Sequence, residues 1–293
     1  MKKLFLVLTG LIIFMGAYAQ DSKKVAGGLT SYVHTDTIQG WKHSGLTGLT
    51  FGQTSLQNWV AGGNNTVSGD FVFNASLNYL KDKVFWDNNL AVEYGLIYAT
   101  STDWQKAADK LNLTSIAGHK ISKNWSASAL LSFYTQFAKG YNYPDKSVYI
   151  SNAMAPGYLD LALGFSYKPS AKYSLFLSPV AERATFVLDD SLSRTGAFGV
   201  NPGKKSRFET GAYVLASTNQ TISSNLSLIS SLELFTPYSK DFGNIDTNWD
   251  LLLNYKLSKL LTATLNTTLR YYDKESHKVQ FKEILGVGLT YKF

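Results

Sequence analysis

Apolar and polar residues alternate along almost the whole chain after residue 20, and this period of two constrains the fold more than any other feature. Between Val67 and Tyr79, apolar side chains fall on one face and polar side chains on the other. The apolar face holds Phe71, Phe73, Ala75, Leu77 and Tyr79, and the polar face holds Asp70, Asn74, Ser76 and Asn78. The pattern recurs about twelve times, without any helical periodicity. Because successive side chains of a strand point to opposite faces, the sequence predicts about twelve two-faced strands.

The segments between these strands are alternately short and long. We place the short connections near residues 81–83, 122–124, 169–172, 219–220 and 258–259, and the long ones near 57–65, 101–109, 140–156, 188–205, 236–244 and 273–278. Such alternation is typical of outer-membrane barrels, whereas a soluble sandwich has turns of mixed length. We therefore predict an all-β chain that forms a transmembrane antiparallel up-and-down β-barrel of about 12 strands, with short periplasmic turns and longer extracellular loops.

The composition agrees with strands that face lipid on one side and water on the other. Charged residues make up 17% of the chain and aromatic residues 14%, and the mean hydropathy is -0.09. These values exclude a helical membrane protein and a disordered chain. The absence of cysteine excludes disulfides, thiol chemistry and cysteine zinc sites. The net charge of +7 is spread along the chain without a basic run, so we expect no nucleic-acid partner, and we expect no cofactor or bound metal.

The N-terminus has the three parts of an export signal. Met1-Lys2-Lys3 is basic, Leu4 to Met15 is apolar, and Ala17-Tyr18-Ala19 is a small-x-small cleavage site. The alternative is a membrane anchor, but the apolar stretch is shorter than the ~20 residues of a spanning helix. We therefore predict a signal peptide at residues 1–19 and location in the outer membrane.

Two regions follow the signal peptide. Residues 20–40 show no strand pattern and form either a periplasmic N-terminal segment or a plug inside the barrel. Residues 41–293 contain all the alternating segments and form the barrel. The expected surroundings of the barrel are outer-membrane lipid and lipopolysaccharide.

The last strand carries a further signal. Its alternate positions are all apolar or aromatic: Leu285, Val287, Leu289, Tyr291 and Phe293. A terminal aromatic residue behind such a strand resembles the signal by which bacterial barrels reach their assembly machinery. We therefore expect the barrel assembly machinery to be a partner through the strand that ends at Phe293.

Four motifs together carry a resemblance to a known family. They are Phe51 to Gly63, Val187 to Ser191 with Gly196 to Lys204, Asn244 to Asp250, and Val279 to Glu283. From about Trp41 to Phe293, the chain resembles an uncharacterised (domain of unknown function) family of Gram-negative outer-membrane β-barrel proteins. The resemblance implies fold and location, and it carries no catalytic or ligand-binding residues.

Charged residues on the polar strand faces are candidates for the lining of the lumen. They include Asp70, Glu93, Glu182, Glu233, Asp250, Lys256 and Arg270. These side chains form either a selectivity or binding site, or a set of pairs that keeps a narrow barrel closed. In the long loops, Trp59 and Trp104 are candidates for stacking on a carbohydrate or a lipid headgroup, or else they pack the loops and anchor the girdle.

Three functions remain open on this evidence. We favour a narrow pore or transporter for a small solute, and the alternative is a structural or surface-interaction barrel acting through its outer loops. A membrane-lipid-modifying enzyme is the third reading. It is disfavoured because the chain has four histidines and neither a G-x-S-x-G nor an H-E-x-x-H motif.

Overall fold

The fold is a closed barrel built almost entirely of antiparallel strands. The structure is a computed structural model that describes residues 39–57, 64–239, 242–258 and 260–292, with the backbone alone for residue 292. In chain order its elements are β1 (Gly40–Thr54), β2 (Thr66–Lys81), β3 (Val84–Ala99), β4 (Asp103–Lys120), β5 (Trp125–Thr135), β6 (Gly140–Tyr141), β7 (Tyr149–Ser151), β8 (Gly157–Ser170), β9 (Tyr173–Phe186), α1 (Asp190–Arg194), a 3₁₀ turn (Ala197–Gly199), β10 (Ser206–Thr221), β11 (Leu226–Pro237), β12 (Asp246–Lys256), β13 (Leu261–Tyr271) and β14 (Gln280–Lys292). No helix in this described part of the chain is long and apolar enough to cross a membrane. The predicted signal peptide, residues 20–38, Trp59 and Phe293 lie outside the described residues.

Twelve of the strands form the barrel wall. Each pairs with its neighbour in the order β1-β14-β13-β12-β11-β10-β9-β8-β5-β4-β3-β2, and β2 pairs with β1 again. The ring closes where Leu46 lies opposite Lys292 and Phe51 lies opposite Val287. The two short strands β6 and β7 form a separate hairpin between β5 and β8. The predicted twelve-strand antiparallel barrel is therefore confirmed.

The connections at one end of the barrel are short. They cover residues 82–83, 121–124, 171–172, 222–225 and 257–260. The connections at the other end cover residues 55–65, 100–102, 136–156, 187–205, 238–245 and 272–279. The turn predicted at 219–220 lies a few residues later, because β10 continues to Thr221.

The predicted long loop at residues 101–109 is wrong. Strand β4 begins at Asp103, so only a tight turn joins it to β3. The pairing of β3 with β4 shifts between Gly95 and Leu96, which pair with Ala108 and Lys106. This bulge adds one residue and breaks the period-two alternation, so the alternation does not show that β4 begins at Asp103.

The apolar faces of the strands point outward. On β8, Leu161, Leu163 and Phe165 are 48, 66 and 48% exposed, whereas Asp160 and Ala162 between them are 3 and 4% exposed. In a soluble protein such large apolar side chains would be buried, but on this barrel they form the surface that meets lipid. The period-two pattern therefore predicted the facing of this strand correctly.

Aromatic rings cluster at both ends of this outward surface. Near the short turns, the Trp41 ring centroid lies 4.9 Å from that of Tyr79 and 5.8 Å from that of Trp86. Near the opposite end, the centroids of Tyr98 and Trp104 are 5.4 Å apart. These positions fit the two girdles that anchor a barrel at the membrane interfaces.

Candidate functional site

Part of the barrel interior is packed with buried apolar side chains, and another part is polar and less buried. On β9 and β10 the inward residues, such as Phe176 and Tyr213, are fully buried. They belong to an apolar cluster of Leu80, Phe85, Ile116, Leu130, Ala162, Phe176, Ala181, Tyr213, Leu215 and Phe235. On β12 and β13 most inward side chains are polar and only half-buried, and we call these Asn248, Asp250, Asn254, Thr264, Asn266 and Thr268 the polar stripe. Two cavities inside the barrel border Asn248, Asp250, Asn266 and Thr268 of this stripe.

Arg183 on β9 is almost fully buried and binds three carboxylates. Its side chain is 1% exposed, and its Nε and Nη2 donate to Asp160 Oδ1 and Oδ2 at 2.6 and 3.0 Å. Its Nη2 also donates to Glu233 at 2.9 Å, and its Nη1 donates to Asp246 at 3.2 Å. The guanidinium carbon lies 4.4 Å from the ring centroid of Phe235. Such an enclosed charge is stable only because its donors are paired with acceptors on three other strands.

A bulge in β9 explains why sequence periodicity did not select Arg183. The pairing register shifts on both sides of this strand, between Leu163 and Phe165 on β8 and between Gly211 and Tyr213 on β10. Inward residues are therefore even-numbered before the bulge and odd-numbered after it. Pro179, which cannot donate to a ladder, is the one sequence signal that could have located the break.

The same bulge overturns the prediction that Glu182 lines the lumen. Glu182 lies opposite Leu161 on β8 and Thr210 on β10, and all three point outward. The Thr210 hydroxyl donates to Glu182 Oε2 at 2.6 Å. The carboxylate therefore sits on the outer surface, because one extra residue reverses the facing of everything beyond it.

Ion pairs cross the lumen at mid-height. Lys110 on β4 donates to Asp250 Oδ2 on β12 at 3.0 Å, and these strands are six positions apart in the ring of twelve. The Thr268 hydroxyl donates to the other oxygen of Asp250 at 2.7 Å. Lys282 on β14 donates to both oxygens of Glu93 on β3, at 3.2 and 3.3 Å. The lumen is therefore bridged from wall to wall rather than open as in a wide porin.

A small chamber lies beside these bridges. A cavity of about 50 Å³ is bordered by Asn74, Ala91 and Asn112, among other residues. Within the described residues, both amide atoms of Asn74 and the Oδ1 of Asn112 are buried without a hydrogen-bond partner. Buried amides rarely remain unpaired, so this chamber is suited to water or a polar solute.

A segment of the β13–β14 loop folds into the extracellular end of the lumen. We call this segment, residues Tyr272 to Glu275, the clasp. The Tyr272 ring is 6% exposed and packs edge-on against Tyr158 of β8, with centroids 5.2 Å apart. The Tyr158 hydroxyl donates to Glu275 Oε1 at 2.6 Å. Because β8 is five positions from β13 in the ring, the clasp reaches the far wall and narrows the opening.

Arg270 connects the clasp to the wall. Its Nη2 lies 3.0 Å from Glu275 Oε1, and its guanidinium carbon lies 4.0 Å from the ring centroid of Tyr272. Its Nη1 donates to the Tyr134 hydroxyl of β5 at 3.2 Å, across the diameter of the ring. Arginine stacks well on aromatic faces, so these contacts hold the clasp in place.

The remaining predicted site residues take different positions. The structure places Asp70, Glu93, Glu233, Asp250 and Arg270 inside the barrel, and Lys256 faces inward at the end near the short turns. Asp70 lies opposite Gly95, where a Cβ would come 2.5 Å from its Oδ1, so that glycine leaves room for the carboxylate. Trp104 is in β4 beside Tyr98, so its assignment to a long loop is wrong and its position is that of a girdle residue.

Two extracellular loops pack into a small cap above the barrel. We define the cap as residues 136–156 and 187–205. Its apolar core consists of Ala155, Val187, Leu192 and Val200, with Tyr149 packed against them. Gly199 in the cap has a φ of +69°, and a Cβ there would lie 2.8 Å from Lys274 Cβ. A glycine is therefore required where the cap touches the clasp.

Asp189 joins the two loops of the cap. Its carboxylate accepts hydrogen bonds from the Tyr149 hydroxyl and the Asn152 amide, and from the backbone N–H groups of Ser191 and Leu192 that begin α1. Partial burial opposes ionisation, but these hydrogen bonds outweigh it and hold the pKa of Asp189 below its ordinary 3.8. One ionised side chain thus caps a helix and ties two loops together.

We expect the cap to loosen in acid. A carboxyl group whose pKa is lowered by folding contributes its full stability above the unfolded pKa, and this contribution is lost as the pH falls through the folded pKa, below 3.8. Hydrogen exchange in residues 187–205, corrected for intrinsic rates, should rise over that range. Asp189→Ala should cost the cap about 1 kcal/mol at neutral pH.

Asp190→Ala provides the matched control. Asp190 is the next residue, and its contact is an exposed ion pair with Lys205 at 2.6 Å. Exposed pairs contribute little, so this change should leave exchange in the cap nearly unaltered. Equal effects of the two substitutions would contradict the role given to Asp189.

The closed ring, the apolar outer belt with its two girdles and the polar interior define an outer-membrane β-barrel protein. A family described as a protein of unknown function (DUF3078) matches residues 51–141, from β1 to β6. A search of curated proteins finds no significant match to the chain. Among the described residues, no three His, Asp or Glu side chains form a group that could hold a metal ion.

Several solved outer-membrane barrels are similar to this chain. An outer membrane channel from Pseudomonas putida F1 is 12% identical with a TM-score of 0.40, over 94% of this chain and 99% of that one. The translocator domain of the autotransporter NalP from Neisseria meningitidis is 11% identical with a TM-score of 0.39, over 88% and 90%. The NanC porin is 9% identical with a TM-score of 0.40, over 84% and 98%. The assignment of the fold rests on the strand order and the exposed apolar belt of this chain itself.

Proposed function

We propose that the protein is a narrow outer-membrane pore for small solutes, closed in this conformation by the clasp. The observation that carries this proposal is the incompletely filled interior. A barrel with a purely structural role would gain stability by filling its whole interior with apolar residues. Here apolar side chains fill only part of the interior, while the polar stripe on β12 and β13 borders two cavities that can hold water.

The closure is built from contacts that can be broken and remade. The clasp is part of a loop, and Tyr272 and Glu275 bind the walls through ring packing, two hydrogen bonds and one ion pair. Loops move on faster timescales than strands rearrange, so displacing the clasp would open the stripe without disturbing the barrel. Solutes would then pass beside Arg270 and along the polar stripe.

Conductance measurements on clasp variants test this function. The purified protein in planar bilayers should show brief, small openings, because the clasp closes the lumen most of the time. A Tyr272→Ala/Glu275→Ala protein loses both anchors and should stay open for a much larger fraction of the recording.

His277→Ala provides the control on the same loop. The His277 side chain is 85% exposed, and its contact with Asp273 is not among the contacts that tie Tyr272 and Glu275 to the wall, so this variant should conduct like the unaltered protein. A double clasp variant that folds and remains silent would contradict the proposed pore.

The cap supports a second candidate, a barrel that acts through its outer loops. It has its own apolar core, and Val148, Ile150 and Leu188 on its loops are 68, 46 and 47% exposed. Exposed apolar side chains on a rigid support are typical of interaction surfaces. Silence of the clasp variants in bilayers would favour this function over the pore.

The geometry of the described histidines does not favour a lipid-modifying enzyme. His43 and His119 are exposed near the short turns, and His277 contacts Asp273. In this part of the chain, none of the three hydrogen-bonds to a serine hydroxyl, as an acyl-transfer site would need.

A further inference from the structure

The carboxylate of Glu275 occupies a site made by three wall residues. Arg270 Nη2 lies 3.0 Å from its Oε1, the Tyr158 hydroxyl donates to the same oxygen at 2.6 Å, and Gln280 Nε2 donates to Oε2 at 3.3 Å. Arg270 and Gln280 lie opposite each other on β13 and β14, and Tyr158 comes from β8. Fixed strands thus supply the donors of this site, whereas its carboxylate comes from a loop.

The two buried arginines of the lumen are paired differently. Arg183 presents its Nε–Nη2 edge to both oxygens of Asp160, at 2.6 and 3.0 Å, which is the bidentate arrangement that binds carboxylates most strongly. Arg270 does not use the same edge in this way. In the described residues its buried Nε has no acceptor, and its Nη2 contacts Glu275 without the alignment of a hydrogen bond. Arg183 is therefore saturated, whereas Arg270 retains an unused carboxylate-binding edge.

Space and positive charge adjoin that edge. A cavity of about 270 Å³ borders Arg270, Gln280 and Tyr134, and its lining includes the cations Lys110 and Lys282 and the carboxylates Asp109 and Asp250, so cations outnumber carboxylates by three to two. Each lysine has an acidic partner, Asp250 for Lys110 and Glu93 for Lys282, which holds its ammonium group in place. A small anion that enters from the extracellular end would therefore meet Arg270 first and the two lysines next.

We propose that Arg270, Tyr158 and Gln280 form a binding site for small carboxylate solutes, and that the Glu275 side chain is its internal competitor. A solute carboxylate takes the Nε–Nη2 edge of Arg270 and the Tyr158 hydroxyl, and Glu275 leaves the lumen with the clasp. The inference rests on the proposed pore, since it names the class of solute that would open it. It gives Arg270 the role of recognising the solute carboxylate and Glu275 the role of closing the lumen.

Calorimetry in detergent tests binding independently of conduction. Acetate should bind the unaltered protein, and uncharged acetamide of the same shape should not. Arg270→Gln and Arg270→Lys should each weaken acetate binding by about tenfold or more, because neither can form the two charge-assisted hydrogen bonds. Glu275→Gln removes the charged competitor and should strengthen acetate binding several-fold.

Lys256→Gln is the matched control. Lys256 is also an inward-facing cation, but it lies at the opposite end of the barrel, so its loss should leave acetate binding unchanged. If Lys256→Gln weakened acetate binding as much as the Arg270 substitutions do, acetate would be attracted by net charge alone, and the proposed site would be overturned. Acetate binding that is indifferent to Arg270 and Glu275 would overturn it as well, as would binding of inorganic phosphate but not acetate.

Bilayer recordings separate this inference from the proposed function. If acetate binds as described and prolongs openings of the unaltered protein but not of Arg270→Lys, site and pore are both supported. If it binds with the same dependence on Arg270 and no variant conducts, the pore is contradicted and the site remains. If the clasp variants conduct and acetate does not bind, the pore remains and the carboxylate site is overturned.

Discussion

Replacing Arg183 by Gln should lower the free energy of unfolding by about 3–5 kcal/mol, the range for breaking a buried ion pair from one side. The guanidinium is almost fully enclosed and is bonded to Asp160, Glu233 and Asp246. Removing it leaves three neighbouring carboxylates without their shared cation. Glutamine can donate to only one or two of the orphaned oxygens and carries no charge.

Urea unfolding of the barrel in detergent micelles, followed by tryptophan fluorescence, measures this loss. Arg183→Lys should recover little, because one ammonium group cannot reproduce the bidentate contact with Asp160. In an Arg183→Gln/Asp160→Asn protein, the second change should cost much less than it does alone, since the two residues belong to one network.

The control for this series is Lys256→Gln, which removes an inward-facing but only half-buried cation. It should change the unfolding free energy by less than about 1 kcal/mol. If Arg183→Gln lowered the unfolding free energy by no more than Lys256→Gln does, the buried network would not stabilise the barrel.

Leu265→Arg should destabilise the barrel by about 2–4 kcal/mol if this position lies near the membrane midplane, whereas Asn266→Arg should cost clearly less. Leu265 and Asn266 are consecutive residues at the middle of β13 and point to opposite faces. An arginine at 265 must place its charge in lipid. An arginine at 266 points into the polar stripe, where water and carboxylates are near.

Both variants are refolded into lipid vesicles, and the unfolding free energy is measured. The two values compare the outer and inner faces of β13 at neighbouring positions. Equal penalties would mean that the facing of β13 is wrong, because a slip of one residue exchanges the two faces. A larger penalty at 266 would show that the stripe is sealed rather than hydrated.

Period-two alternation was enough to predict the architecture. Because a strand places successive side chains on opposite faces, the outward Leu161 and the inward Asp160 could be told apart from sequence alone. The even strand count and five of the six longer loops follow from the same local pattern, whereas the connection at residues 100–102 is a tight turn. The pattern fails at the β4 and β9 bulges, where one added residue reverses the facing and moved Glu182 to the outer surface.

The pairing inside the lumen could not be read from the sequence. Lys110 and Asp250 are 140 residues apart, and they meet because closure and strand order place β4 opposite β12. Arg183 and the clasp residues carry no local signal of their roles, since loop residues have no strand period. Alternation is a property of each strand alone, so the sequence determined the barrel and the facing of its regular strands. Which charges meet, which part of the lumen is packed and where the clasp closes depend on the closure of the ring, and only the tertiary structure decided them.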